Sequence, residues 1–93
     1  MLIALKVTYA DGEVSHYETS PAVMVEWENK TGKTGGDIAN GKLGFADLCF
    51  WAHQCALRDK SRKTPLEMKQ YLETLKNVEM GEADNPNPQG EDL

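Results

Sequence analysis

The sequence predicts an α+β fold: an N-terminal β-hairpin packed on about three α-helices, followed by a disordered acidic C-terminal tail. Three observations carry that prediction. Residues 2–9 alternate, with Ile3, Leu5, Val7 and Tyr9 making one wholly apolar face, and they run into Asp11-Gly12. Residues 44–60, GFADLCFWAHQCALRDK, are the longest apolar segment and recur at helical spacing. From Gly81 onward the composition turns to acidic residues, Asn, Pro and Gly. The expected organisation is one globular domain over residues 1–80 and a tail over 81–93.

Asp11-Gly12 is a strong short hairpin signal, because both residues tolerate positive φ. Glu13 to Thr19 should return as the second strand, with Val14, His16 and Glu18 on one face and Ser15, Tyr17 and Thr19 on the other. A hairpin alone is marginal in water, so it must lie on helices. Ser20-Pro21 opens the first of them, Ser as N-cap and Pro at the first helical position, and Gly32 suits the C′ position. This helix, about 21–31, has an inner stripe of Val23, Met24 and Trp27. Residues 32–43 hold four glycines and read as a loop, with one short turn around Asp37 to Asn40.

The core helix spans about 44–60. Phe45, Leu48, Ala52 and Cys55 recur on one face, Cys49 and Ala56 lie beside them, and Phe50, Trp51 and Leu57 extend the apolar surface most of the way round. Such a helix must be covered on more than one side. Thr64-Pro65-Leu66-Glu67 has the form of a capping box with Pro at the first position, so a third helix is expected over 65–79. Its stripe is Met68, Tyr71, Leu72, Leu75 and Val78.

Composition narrows the function. With 93 residues the chain is near the size at which one core just sustains itself. No run approaches the length of a membrane span, and Lys6 with the turn behind it argues against a secretory signal. The net charge of −5 is carried by the tail: residues 1–78 hold ten basic and ten acidic residues, and 79–93 add five acidic ones. A neutral body does not suit nucleic acid, which requires a basic face to displace counterions. The cluster Arg58, Lys60, Arg62 and Lys63 is placed to complement the dipole at the core helix's C-terminal end.

No motif for chemistry is complete. Gly32-Lys33-Thr34 resembles the end of a phosphate-binding loop, but position 27 is Trp where that motif needs Gly. Cys49 and His53 stand one helical turn apart, yet no second ligand pair exists for a structural metal. Cys49 and Cys55 are separated by about 9 Å of helix rise, too far for a disulfide, and read as free buried thiols. A Cys-His nucleophile needs a base held by a third group, and although Asp47 and Asp59 share the helix nothing else converges. The expectation is no catalytic residue, no metal and no cofactor. What remains is surface chemistry. Trp27, Phe50 and Trp51 either fill the core or stay in part exposed as anchors for an apolar partner or for self-association, with Met24 and Met68 as adaptable packing beside them.

Three segments also resemble, in order, those of a known family. They are the opening VTYADGEVSHYETS, the helix SPAVMVEWENKTGK, and GFADLCFWAHQCAL with Asp47-Leu48 and Ala52 in an Asp-Leu-x-x-x-Ala pattern. Leu75 to Glu79 as Leu-x-x-Val-Glu and an Asn-Pro tail complete the order. The chain resembles the small tail assembly chaperones of long-tailed bacteriophages. That resemblance implies a non-enzymatic protein of the host cytoplasm, absent from the finished virion. It would bind the tape measure protein and keep it soluble while the tail tube protein polymerises. Many members also exist in a longer form made by ribosomal frameshifting, for which a flexible tail would be a suitable joint. The alternatives from other classes are a phage-encoded adaptor or inhibitor of a host protein, and a head-tail connector subunit.

Overall fold

The structure, a computed structural model, describes residues 3–81. The first strand, β1 (Ala4–Tyr9), pairs antiparallel with β2 (Val14–Glu18). Between them Tyr9 N–H donates to Glu13 O at 2.8 Å, leaving the three-residue loop Ala10, Asp11 and Gly12. The expected two-residue turn is therefore replaced by a longer one. Only Gly12 takes positive φ, at 95°, and Asp11 instead accepts from Glu13 N–H through its carboxylate at 2.9 Å.

The next helix follows the sequence closely. α1 (Pro21–Thr31) is capped by Ser20, whose hydroxyl accepts from Val23 N–H, and it closes at Gly32 with φ 78°. A one-turn helix, α2 (Gly35–Ala39), sits in the loop with a capping box of Thr34 and Asp37. Then comes α3 (Phe45–Arg58), the core helix, two residues shorter at its C-terminal end than the sequence suggests.

The third helix of the expected fold is not there. The chain forms α4 (Met68–Leu72), five residues long, and then a third strand, β3 (Leu75–Met80). Two local interactions explain the late start. Thr64 spends its hydroxyl on Ala56 O at 3.3 Å, tying the loop to α3, so it caps nothing. Pro65 O accepts from His53 Nε2–H at 2.8 Å, which holds the chain against α3 rather than at the first turn of a helix. At the other end, Thr74 N–H and hydroxyl both donate to Tyr71 O and stop α4. β3 then occupies the second edge of β1, giving an antiparallel sheet in the order β2-β1-β3.

The helices cover one face of this sheet. Leu5, Val7 and Tyr9 from β1 and Val78 from β3 meet Val23 and Trp27 of α1 and Trp51, Ala52 and Ala56 of α3. Burial of this apolar surface is the dominant favourable contribution to folding. Trp27 and Trp51 are its centre, with ring centroids 5.1 Å apart and planes tilted by 56°. Tyr71 stacks on His53 at 4.7 Å, and its hydroxyl lies 3.1 Å from that of Tyr9. Arg62 rests on the outer face of the Tyr9 ring, 3.5 Å from its centre, and pairs with Glu13. The tail expected over 81–93 lies, apart from Gly81, outside the described residues.

Candidate interaction groove

α3 is buried toward the sheet, but its N-terminal half also walls an open groove. Phe45, Ala46, Cys49 and Phe50 of α3, Met68 and Leu72 of α4, and Leu75 and Lys76 of β3 line it. Thr31 and Asp47 complete the lining. Its volume is about 570 Å³, in the range of sites that take a few large apolar side chains. Two of its members reach well into solvent: Phe45 is 56% exposed and Leu72 43%.

The groove exists because α3 is held firmly at its first turn while α4 is short. Asp47, at the third helical position, is 5% exposed and accepts three hydrogen bonds. Lys33 Nζ donates to Oδ2 at 2.7 Å, Gly44 N–H to Oδ2 at 2.8 Å, and Trp27 Nε1–H to Oδ1 at 2.9 Å. One carboxylate thus joins the α1 core residue, the glycine loop and the start of α3. Burial by itself would raise its pKa. The Lys33 ammonium and the two N–H donors outweigh burial and hold the carboxyl below its ordinary value.

Of the residues singled out as anchors, the structure divides the set. Trp27 and Trp51 are fully buried and belong to the core, so neither reaches a partner while the fold is intact. Phe50 and Met68 are half-buried and line the groove. Met24 is half-buried against the core and lies away from it. The reason is geometric: Trp51 lies one position from Phe50, so about 100° of helix separates them and they face different neighbours. Phe45, Leu72, Leu75 and Lys76 were not among the anchors. The sequence places Phe45 on the core face of α3, yet it stands at the helix's first position and is largely exposed. It places Leu72 and Leu75 on the inner stripe of the absent third helix.

The thiols and the His53 imidazole are engaged structurally, while His16 is exposed on β2. Burial raises the pKa of Cys49, and it pushes that of Cys55 up to about 11 against a small opposing influence of Arg58. Both thiols are free. His53 gives its Nε2–H to Pro65 O and shares no hydrogen bond with Cys49. Among the described residues no three His, Cys, Asp or Glu side chains gather as a metal site, and no helix is long and apolar enough to cross a membrane. Comparison with protein-family models, with curated proteins and with solved structures finds no match to this chain.

Proposed function

We propose that this chain is a tail assembly chaperone of the long-tailed phage type, which holds the tape measure protein in soluble form while the tail tube is built. The observation that carries the reading is the groove. It is an open apolar trough on a small α+β protein, lined by Phe45, Phe50, Met68, Leu72 and Leu75. A partner with apolar helical segments can shelter them there, as amphipathic helices do in hydrophobic grooves. The order of sequence segments that resembles that family supports the same reading. Its contact residues are the groove residues, with Phe50 and Met68 kept from the sequence-based set and Trp27 and Trp51 assigned to the scaffold.

The test is co-expression with the long helix-rich tape measure protein that this reading expects to be encoded just downstream, followed by fractionation and pull-down. The expected result is a partner insoluble alone and soluble in complex with this chain. A partner that stays insoluble and is not retained, even with a longer frameshifted form present, overturns the proposal and favours an adaptor or inhibitor of a host protein.

A further inference from the structure

The groove has a charge as well as an apolar surface. Two charged side chains line it, Asp47 and Lys76. Asp47 is buried and already matched by Lys33, Gly44 and Trp27. Lys76 is exposed and makes no ion pair among the described residues. Among the described residues the groove therefore offers one unpaired positive charge beside an apolar trough.

The position of Lys76 comes from an irregularity in the sheet. The β1–β3 register runs Leu5↔Met80, Lys6↔Glu79, Val7↔Val78 and Thr8↔Asn77, then jumps to Tyr9↔Leu75. Lys76 is the residue passed over. In a regular strand Leu75 and Lys76 would point to opposite faces of the sheet. The bulge brings both to the groove, as bulges do where a side chain is re-aimed. It also interrupts the strand edge there, which disfavours addition of an extended partner strand.

The walls indicate the shape of the occupant. Phe45 with Cys49 and Ala46 with Phe50 on α3, and Met68 with Leu72 across the single turn of α4, are spaced four residues apart, so the lining side chains follow helical rows. A trough between two such rows accepts the ridge of a third helix. We infer that the occupant is an amphipathic helix that lays its apolar stripe between α3 and α4 and sets a carboxylate against Lys76. This rests on the chaperone reading for its biological partner, but its chemistry is separable.

The experiment uses the full chain and three synthetic helical peptides with the same Leu/Phe stripe. They carry Glu, Gln or Lys at the position flanking the stripe. Affinity is measured by titration, and the site by amide shifts of Phe45, Leu72 and Lys76. Glu should bind tighter than Gln and Gln tighter than Lys, by roughly two- to fivefold per step. Lys76→Glu should reverse the order, and Lys76→Ala should flatten it. An order unchanged in both variants, or peptides that leave the groove amides unshifted, overturns the inference. Solubilisation that needs Phe45 and Leu72 but ignores Lys76→Glu overturns the charge recognition and leaves the chaperone reading standing. Peptides that rank as expected while the downstream protein stays insoluble do the reverse.

Discussion

The two sides of α3 are built from similar residues and come to opposite ends. Toward α1 and the sheet, Trp51, Ala52, Cys55 and Ala56 are closed over by Val23, Trp27 and β1. Toward α4, Phe45, Phe50 and Cys49 face an open trough. Both surfaces are apolar, so composition does not distinguish them. The difference lies in what stands opposite: an eleven-residue helix and a sheet on one side, a five-residue helix and an interrupted strand on the other. The closed side should set stability and the open side should set binding. Variants that mix the two readouts would break that division.

The largest stability loss is expected at Trp51→Ala, which removes a fully buried ring at the centre of the core. A Trp-to-Ala change of this kind costs about 3–5 kcal/mol, much of the total stability of a small domain. Denaturant unfolding should show it as a large fall in midpoint. A variant that stays as stable as the parent would mean that the Trp27–Trp51 contact is not the centre of the core.

Asp47→Asn should cost less, about 1–3 kcal/mol, because the Lys33 ammonium loses its charged partner and the buried bonds weaken. It also has a pH signature. The Asp47 carboxyl has a lower pKa folded than unfolded. Its contribution is therefore full above the ordinary unfolded value of about 4. It is lost as pH falls from there through the folded value. Thermal melts between pH 6 and 2.5 should fall less steeply for the Asn variant than for the parent. Equal slopes would assign the acid sensitivity to other carboxylates.

The smallest stability change, and the sharpest test of the comparison, belongs to Phe45→Ser and Leu72→Ser. Both side chains are substantially exposed, so each variant should stay within about 1 kcal/mol of the parent. Solubilisation of the partner in co-expression should nevertheless drop several-fold. Loss of folding instead would place these residues in the core and close the distinction between the two sides.

Much of the fold could be read from the sequence where one local signal had one meaning. Ser20-Pro21 and Gly32 bound α1 because capping chemistry there meets no competitor. The absent third helix shows how a signal acquires two meanings. Inward residues of a regular strand are two apart, whereas the bulge at Lys76 spaces Leu75 and Val78 three apart. That spacing is also the i, i+3 repeat of a helix, and Tyr71 before it extends the coincidence. The groove was less legible for the same reason, since part of its lining comes from this segment. Phe50 and Met68 are legible because large, adaptable side chains on a helix suit a contact surface. Trp27 and Trp51 were open to either reading because aromatic content does not reveal which side of a helix finds a cover.

The position of β1 has a consequence for the order in which the molecule can be made. Its two neighbours are β2, which follows it directly, and β3, the third strand of the described residues, so Leu5 and Val7 pair with residues that are synthesised far apart in time. A ribosome adds about 5–20 residues each second, while a hairpin closes in microseconds. One edge of β1 therefore stays unpaired while the residues between β2 and β3 are added, and the hairpin, marginal alone, gains its second partner only with the arrival of Val78. Long-range closure of this kind slows folding relative to a helical bundle of equal length. It also makes β3, which helps to line the groove, the last of the described elements to be set in place.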